Sequence, residues 1–153
     1  MLDLSINRFE VKLAIINKNA RLPEFKTVGA AGADLYACNH EIIPSGETKL
    51  IHLGLKSEFK SGYVALIYAR SGLATKEGLA PANKVGVIDS DYRGEWMVAL
   101  HNHSKEDKVI NIGDRIAQVV FQKAYIPNLI EITERELTET ERGQGGFGST
   151  NKK

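Results

Sequence analysis

The spacing of apolar residues along the chain predicts strands and turns, with almost no helix. Odd-numbered positions from Phe9 to Ile15 are apolar and the positions between them are polar or small, which is typical of a strand with one buried face. Later apolar runs are separated by turn-forming sequences such as Pro44-Ser45-Gly46 and Lys60-Ser61-Gly62. Only Ala74–Gly78 suits a helical turn. The pattern predicts an all-β sandwich or barrel.

Two of the predicted strands are apolar on both faces. They are Tyr63–Ala69 and the centre of Trp96–Leu100. A small antiparallel barrel leaves one face of each sheet in water, so a strand without a polar face is expected inside a sandwich or at a contact between subunits. Two such strands in one short chain favour an oligomer.

The segment Gly86–Gly94, with the sequence GVIDSDYRG, begins as an apolar strand and ends as a turn. Asp91 and Gly94 suit the first and fourth positions of a type I turn. The following run, Glu95–Asn102, is predicted to be a second strand. The whole unit is therefore predicted to be a β-hairpin in which Ile88 lies opposite Met97.

The two carboxylates of this segment differ in how easily their positions are explained. Asp91 would open the turn, and an aspartate there usually bonds its own backbone. Asp89 ends an apolar strand where a β-branched residue would fit better. Its carboxylate is either a solvated strand end or a group held for chemistry.

Composition is that of an ordinary globular domain. The chain has 153 residues, 42% hydrophobic and 25% charged, which is the size of one domain with a substantial core. A net charge of +1 gives no reason to expect a nucleic-acid or membrane surface. The only cysteine, Cys38, excludes an internal disulfide and is expected to pack as a small apolar residue. No run has the length of a membrane span, and Met1–Leu4 lacks the basic start of a signal peptide.

Three further polar groups are candidates for a site, each with a structural alternative. Arg70-Ser71-Gly72 would form a cradle for an oxyanion, or a turn with a solvated arginine. The amide of Asn83 can donate and accept at once, as reading the edge of a base requires, or it can complete a turn. Gln118 is predicted in the strand that follows Gly113-Asp114, where its amide needs partners from a ligand or from the backbone.

The end of the chain, from Arg142 to Thr150, sets one arginine, one phenylalanine and a Ser-Thr pair among glycines. Residues 143–148 match G-x-G-x-x-G, but no apolar strand precedes them and no helix can follow before Lys153, which excludes a dinucleotide fold. The segment is either a disordered terminus or an arm that folds over a nucleotide on binding. In the second case the ring of Phe147 would stack on the base.

The motifs together resemble those of the trimeric deoxyuridine triphosphatases (dUTPases). GVIDSDYRG is similar to the third family motif, RSG at 70–72 to the second, GDRIAQ at 113–118 to the fourth and the tail to the fifth. The match spans about 30–150 of the chain. The resemblance implies a jelly-roll homotrimer that hydrolyses dUTP to dUMP and pyrophosphate by water attack on the α-phosphate. It also implies a cytoplasmic location, or the interior of a host cell for a viral protein.

The resemblance implies a role for each matching residue. Asp89 would be catalytic, acting on the attacking water. Uracil and deoxyribose would be bound by Asn83, Gly86, Val87, Ile88, Tyr92, Met97 and Phe147. The phosphates would be bound by Arg70, Ser71, Gly72, Gln118, Arg142, Gly148, Ser149 and Thr150. Residues 1–132 would form the jelly-roll domain, and residues 133–153 an arm that closes over the nucleotide. Product dUMP would supply thymidylate synthesis, and removal of dUTP would keep uracil out of DNA.

No direct metal site is expected. His101 and His103 would point the same way from a strand, but no third ligand lies near them in the sequence. Any Mg²⁺ would be held mainly by the phosphates of the substrate and by water.

Two other functions fit parts of the sequence. One is a dCTP deaminase, which shares the fold but needs a glutamate as proton shuttle and does not need the Phe-and-Gly tail. The other is a trimer that binds dUTP without hydrolysing it and controls a protein partner, which would not require Asp89.

Overall fold

Eleven β-strands and two short helical turns occur in residues 9–146, the part of the chain that the computed structural model describes. The strands are β1 (Val11–Ile15), β2 (Ala33–Tyr36), β3 (Glu41–Ile43), β4 (Thr48–His52), β5 (Leu55–Phe59), β6 (Tyr63–Tyr68), β7 (Leu79–Pro81), β8 (Gly86–Asp89), β9 (Met97–Asn102), β10 (Lys108–Ile110) and β11 (Arg115–Lys123). The prediction of an all-β domain is confirmed.

The strands pair antiparallel in four sheets around one core, which is a jelly-roll arrangement. The largest sheet has the order β2-β11-β6-β8 and the next has the order β4-β9-β7. Two ribbons, β1-β5 and β3-β10, complete the set. Neighbours in these sheets are mostly distant in sequence, as in a jelly roll and unlike a meander of hairpins.

The core contains residues from both larger sheets and includes Trp96. This indole is fully buried, and its Nε1–H donates to the hydroxyl of Ser57 at 3.0 Å. Leu35, Val98 and Val119, from three different strands, are 2% exposed or less. Truncating a buried ring of this size typically costs about 3–5 kcal/mol. Trp96 therefore fixes the start of β9 within the core.

β6 and β9 each bury only one face within the part of the chain that the structure describes. Ala65 and Ile67 are buried on β6, and Val98 and Leu100 are buried on β9, while the residues between them are half-buried. The outward faces remain mostly apolar. This is the arrangement expected of strands that meet a partner.

The predicted hairpin of residues 86–102 is wrong. β8 pairs with β6, so that Ile88 lies opposite Ala65. β9 instead pairs with β4 and β7, which places Met97 opposite His52. The loop at 90–96 carries the chain from one sheet to the other, because the N–H of Trp96 bonds the carbonyl of Leu55 on β5 at 2.8 Å.

The turn after β8 also differs from the prediction. The N–H of Tyr92 bonds the carbonyl of Asp89 at 3.1 Å, so the turn opens at Asp89 and not at Asp91. Asp91 occupies the third position, and its carboxylate makes no hydrogen bond with the residues that the structure describes. The expected bond from Asp91 to its own backbone is therefore missing from residues 9–146.

The two helical turns are short. Leu73–Glu77 agrees with the predicted turn to within one residue and ends at Gly78, whose φ of 68° is left-handed. Glu134–Glu136 was not predicted, although Thr133 and Glu136 have the spacing of a capping box and form one, with Glu136 Oε2 accepting from the Thr133 N–H at 2.8 Å. No helix within residues 9–146 is long and apolar enough to cross a membrane.

Candidate active site

An open cavity of about 280 Å³ lies beside β8 and the loop that follows it. Its lining comes from three strands and two loops, which the fold brings together from distant parts of the sequence. Leu50, Glu95 and Ala99 were not identified from the sequence. An apolar residue on a strand, such as Leu50 or Ala99, gives no signal of the cavity it faces, and the partners of Glu95 are distant in sequence. The lining residues are Leu50, Asn83, Val87, Ile88, Asp89, Tyr92, Glu95, Met97 and Ala99.

β8 is the edge strand of its sheet and presents backbone groups at this cavity. Only β6 pairs with it, so one row of its N–H and C=O groups has no strand partner within residues 9–146. Gly86 lies outside the lining. A Cβ on Gly86 would be 3.2 Å from the Cβ of Ile67, so glycine allows β8 to approach β6 closely. The side-chain amide nitrogen of Asn83 would lie 3.7 Å from the same Cβ on Gly86, which places the amide next to the strand edge.

The carboxylate of Asp89 stands at the end of β8, where the strand meets the cavity. Its side chain is exposed, and it has no hydrogen-bond or ion-pair partner in the described part of the chain. A carboxylate with both oxygens unshared is able to orient a water molecule or to accept a proton from it.

Tyr92 is held by contacts within its own loop. Its ring lies across Gly94, where a Cβ would come within 2.2 Å of the Tyr92 hydroxyl. That hydroxyl donates to the backbone carbonyl of Glu95 at 3.2 Å. The guanidinium of Arg93 donates to the carbonyls of Ser90 and Tyr92 at 2.9 and 3.2 Å. Glycine at position 94 is therefore required for the ring to lie where it does.

A second polar cluster, at the other end of the four-stranded sheet, contains a residue that the sequence analysis missed. Asp34 on β2 is 9% exposed, and its Oδ1 accepts from Nε of Arg70 at 2.9 Å. Its Oδ2 accepts from Nη1 of Arg115 at 3.1 Å. One buried carboxylate thus orients two guanidinium groups. The sequence does mark this residue, because Asp34, like Asp89, is a carboxylate in an otherwise apolar strand.

Gln118, Ser71 and Gly72 lie at the same end of the sheet as Asp34. Gln118 is opposite Asp34 in the strand register, and its Nε2 donates to the carbonyl of Ala69 at 2.9 Å. The backbone therefore satisfies part of this amide, as the structural alternative required. Ser71 and Gly72 are exposed and precede the helical turn of residues 73–77.

Asp89 and the arginine cluster lie at opposite ends of β6. Asp89 is opposite Val64, which is six positions before Arg70. At about 3.3 Å per residue in a strand, their backbones are about 15–20 Å apart. One chain therefore keeps the cavity with Asp89 apart from the candidate phosphate-binding groups.

Arg142 is folded onto its own turn. Its Nε donates to the carbonyl of Gly145 at 2.9 Å, and the N–H of Gly145 returns a bond to the carbonyl of Arg142 at 3.0 Å. Contact between Arg142 and phosphates stays a prediction. The other predicted residues of the tail, Phe147, Gly148, Ser149 and Thr150, lie outside the described residues.

His101, His103 and Cys38 do not line the cavity and make no bond to Asp34. Rings of His101 and His103 lie 4.3 Å apart, and Nδ1 of His101 is 2.9 Å from the hydroxyl of Thr48. Cys38 is a buried free thiol, and burial raises its pKa. Among residues 9–146, no cluster of three or more His, Cys, Asp or Glu side chains could hold a metal ion.

Comparison with known proteins agrees with the fold. The family model for dUTPase matches residues 18–151. The deoxyuridine 5'-triphosphate nucleotidohydrolase of Desulfitobacterium hafniense is 48% identical over 150 residues, which cover 95% of this chain and 98% of the relative. That of Yarrowia lipolytica is 46% identical over 140 residues, covering 92% and 88%. The dUTPase of Staphylococcus bacteriophage 80alpha, in its structure with dUPNHPP, has a TM-score of 0.81 and 27% identity and covers 93% and 98%.

Proposed function

Since this chain belongs to the dUTPase family, and therefore hydrolyses dUTP to dUMP and pyrophosphate, we propose that Asp89 is its catalytic carboxylate. One observation supports this most: a single cavity contains Asp89 together with Asn83, Tyr92 and Met97, the side chains expected around a base and its sugar. The dCTP deaminase alternative is set aside, because the matching family model and relatives are dUTPases.

Uracil would lie against the outer edge of β8. Backbone groups of this edge and the amide of Asn83 offer the donors and acceptors that complement a uracil ring. Ile88 and Met97 would provide apolar contact, since both line the cavity. Tyr92 would lie under the deoxyribose and leave no room for a 2′-hydroxyl.

Asp89 would orient the water that attacks the α-phosphorus and accept its proton. Its exposed carboxylate has no competing partner within residues 9–146, which leaves it able to bind a water molecule. The guanidinium groups of Arg70 and Arg142 would offset the charge of the phosphates. Arg142 would first have to release the carbonyl of Gly145.

The phosphate-binding groups would come from other subunits of a homotrimer. Arg70 lies too far from Asp89 along β6 for both to serve the same α-phosphate within one chain. A neighbouring subunit would therefore place its Arg70, Ser71, Gly72 and Gln118 beside this cavity. The tail of the third subunit would close the site over the nucleotide.

The segment after β11 supports such an assembly. Tyr125, Ile126, Leu129 and Ile130 are each 74% exposed or more in the single chain. Leaving this much apolar surface in water is unfavourable, because its burial contributes about 25 cal/mol per Å². Contact with other subunits would cover it.

Magnesium would enter the site on the triphosphate. The two oxygens of Asp34 are already bonded to arginines, and residues 9–146 contain no cluster of carboxylates suited to the ion. Phosphate oxygens and water are the ligands that Mg²⁺ prefers. When bound, it would neutralise phosphate charge.

We also propose a cytoplasmic location, where dUMP would supply thymidylate synthesis and removal of dUTP would keep uracil out of DNA.

Asp89→Asn tests the catalytic role. The amide keeps the shape of the carboxylate but cannot accept the proton, and losing a general base typically lowers the rate by about 10²–10⁴-fold. Turnover of dUTP should fall by this factor while binding of dUTP stays close to that of the unmodified protein. Asp91→Asn is the matched control, since its carboxylate has no hydrogen-bond partner among residues 9–146 and asparagine also suits turns. Turnover of Asp89→Asn within about twofold of normal would remove Asp89 from the mechanism.

Mixed trimers test the shared site. One variant lacks residues 142–153 and the other carries Asp89→Asn, and each alone should have little activity. After unfolding, equal mixing and refolding, about three quarters of trimers are mixed and each has one intact site of three, so about a quarter of sites should recover. Activity that stays at the level of the separate variants, with mixed trimers verified by native mass spectrometry, would refute the shared-site arrangement.

A further inference from the structure

Glu95 lines the cavity, and both of its carboxylate oxygens are engaged. Oε1 accepts from the N–H of Gly54 at 3.0 Å, and Oε2 lies 3.0 Å from Nδ1 of His52. The Glu95 side chain is only 25% exposed. A half-buried carboxylate bonded at both oxygens is suited to holding a segment in place and not to proton transfer.

The partners of Glu95 belong to a part of the fold that cannot shift easily. Gly54 has a left-handed φ of 66°, and a Cβ there would come within 2.7 Å of the Cβ of Asn17. On either side of it, the N–H of Leu53 bonds the carbonyl of Trp96 at 3.1 Å, and the N–H of Trp96 bonds the carbonyl of Leu55 at 2.8 Å. The connection between β4 and β5 is therefore a rigid support for residue 95.

The backbone of Glu95 is bonded to Tyr92. Its carbonyl accepts the Tyr92 hydroxyl at 3.2 Å. The same residue thus contacts the rigid β4–β5 connection through its side chain and the aromatic ring through its main chain. The position of this carbonyl decides where the ring is held.

We propose that Glu95 is a positioning residue for sugar selection, because its carboxylate fixes the carbonyl that holds the hydroxyl of Tyr92. The inference rests on the proposed contact of Tyr92 with the deoxyribose, and it adds the residue that sets the position of the ring. Without the carboxylate, the peptide group that joins residues 95 and 96 is still held by the bond of the Trp96 N–H to the carbonyl of Leu55. It can tilt about that bond, so the carbonyl and the ring move, and space opens for the 2′-hydroxyl of UTP.

The ratio of kcat/KM for UTP to that for dUTP measures this effect. Glu95→Ala should raise the ratio by about tenfold or more, the discrimination expected when a steric contact is lost. Glu95→Gln retains an acceptor for the N–H of Gly54 and should give an intermediate value. His52→Ala retains the same bond and should also be intermediate. If Glu95→Ala does not fold, these two variants decide the test, and a normal ratio in both would overturn the inference.

The matched control is Glu58→Ala. Glu58 lies on β5, the strand that follows Gly54, and its carboxylate accepts from Nζ of Lys12 at 3.1 Å. It does not line the cavity. This variant also loses a carboxylate paired with a base, but the ratio should not change. A rise of the ratio in Glu58→Ala equal to that in Glu95→Ala would overturn the inference.

A double-mutant cycle with Tyr92→Ala decides whether Glu95 acts through the ring. If it does, adding Glu95→Ala to Tyr92→Ala leaves the ratio at the value of Tyr92→Ala alone. Fully additive effects, or an equal loss of kcat/KM for both substrates in Glu95→Ala, would overturn the inference. A normal ratio in Tyr92→Ala would instead refute the proposed role of Tyr92 itself, so the two failures are distinguishable.

Discussion

Replacing Asp34 with asparagine tests how the arginine cluster is held. One carboxylate oxygen becomes an amide nitrogen, which places a donor against an arginine that also donates. Removing one partner of a fully buried ion pair costs about 3–5 kcal/mol. The Asp34 side chain is 12% exposed, but those of Arg70 and Arg115 are 25% and 44% exposed. Solvent screening of the arginines reduces the expected loss of unfolding free energy to about 2 kcal/mol.

For a domain of this size, 1 kcal/mol shifts Tm by about 2–4 °C, so Asp34→Asn should lower Tm by about 4–8 °C. Arg70 also loses its fixed orientation, so KM for dUTP should rise by a larger factor than kcat falls. Thermal unfolding and steady-state kinetics measure the two effects. Asp107→Asn is the matched control, since its carboxylate accepts from the N–H of Ser45 at 3.1 Å on the surface. An unchanged Tm and KM in Asp34→Asn would refute the reasoning.

Three further outcomes are expected. In Gly94→Ala the new Cβ would lie 2.2 Å from the Tyr92 hydroxyl, so the ring must move until the two atoms are at least 3.4 Å apart. This movement should raise activity on UTP relative to dUTP. An unchanged ratio of the two activities would show that the position of the ring does not affect sugar choice. Cys38, whose pKa is raised by burial, should react with iodoacetamide at pH 8 far more slowly in the folded protein than in urea, and equal rates would contradict its burial. The bond with Lys26 is the main cause of the lowered pKa of Glu24. The ionised carboxylate therefore stabilises the fold at pH values above its ordinary pKa of 4.5, and this contribution is lost as pH falls through the lowered pKa. The difference in Tm between Glu24→Gln and the unmodified protein should disappear in acid. A difference that persists there would exclude this ion pair as its cause.

Strand positions could be predicted from sequence because alternation is a local property. The strand that begins at Val11 and the short helical turn near Ala74 were both found in this way. Strand pairing is not local, and the hairpin prediction failed for that reason. The segment between β8 and β9 is short enough for a hairpin, but burial of Trp96 and its bond to Leu55 direct the chain into the other sheet.

The candidate site shows the same division. Asp89 stands out because a carboxylate ends an apolar strand, and this can be seen without any partner. Asp34 was missed although it gives a similar signal, because its importance lies in Arg70 and Arg115, which are 36 and 81 residues away. Glu95 was missed because its partners, His52 at the end of β4 and Gly54 on the β4–β5 connection, are 43 and 41 residues earlier and no motif joins them.

The single tryptophan of the chain is placed where it can serve as an optical probe. Trp96 is fully buried, so its emission should lie at shorter wavelength in the folded protein than in the unfolded chain, where the indole meets water. It also stands between Glu95 and Met97, which both line the cavity. A nucleotide that shifts either neighbour alters the surroundings of the indole. Binding and unfolding can therefore be followed by intrinsic fluorescence, without a label and without a second tryptophan to obscure the signal.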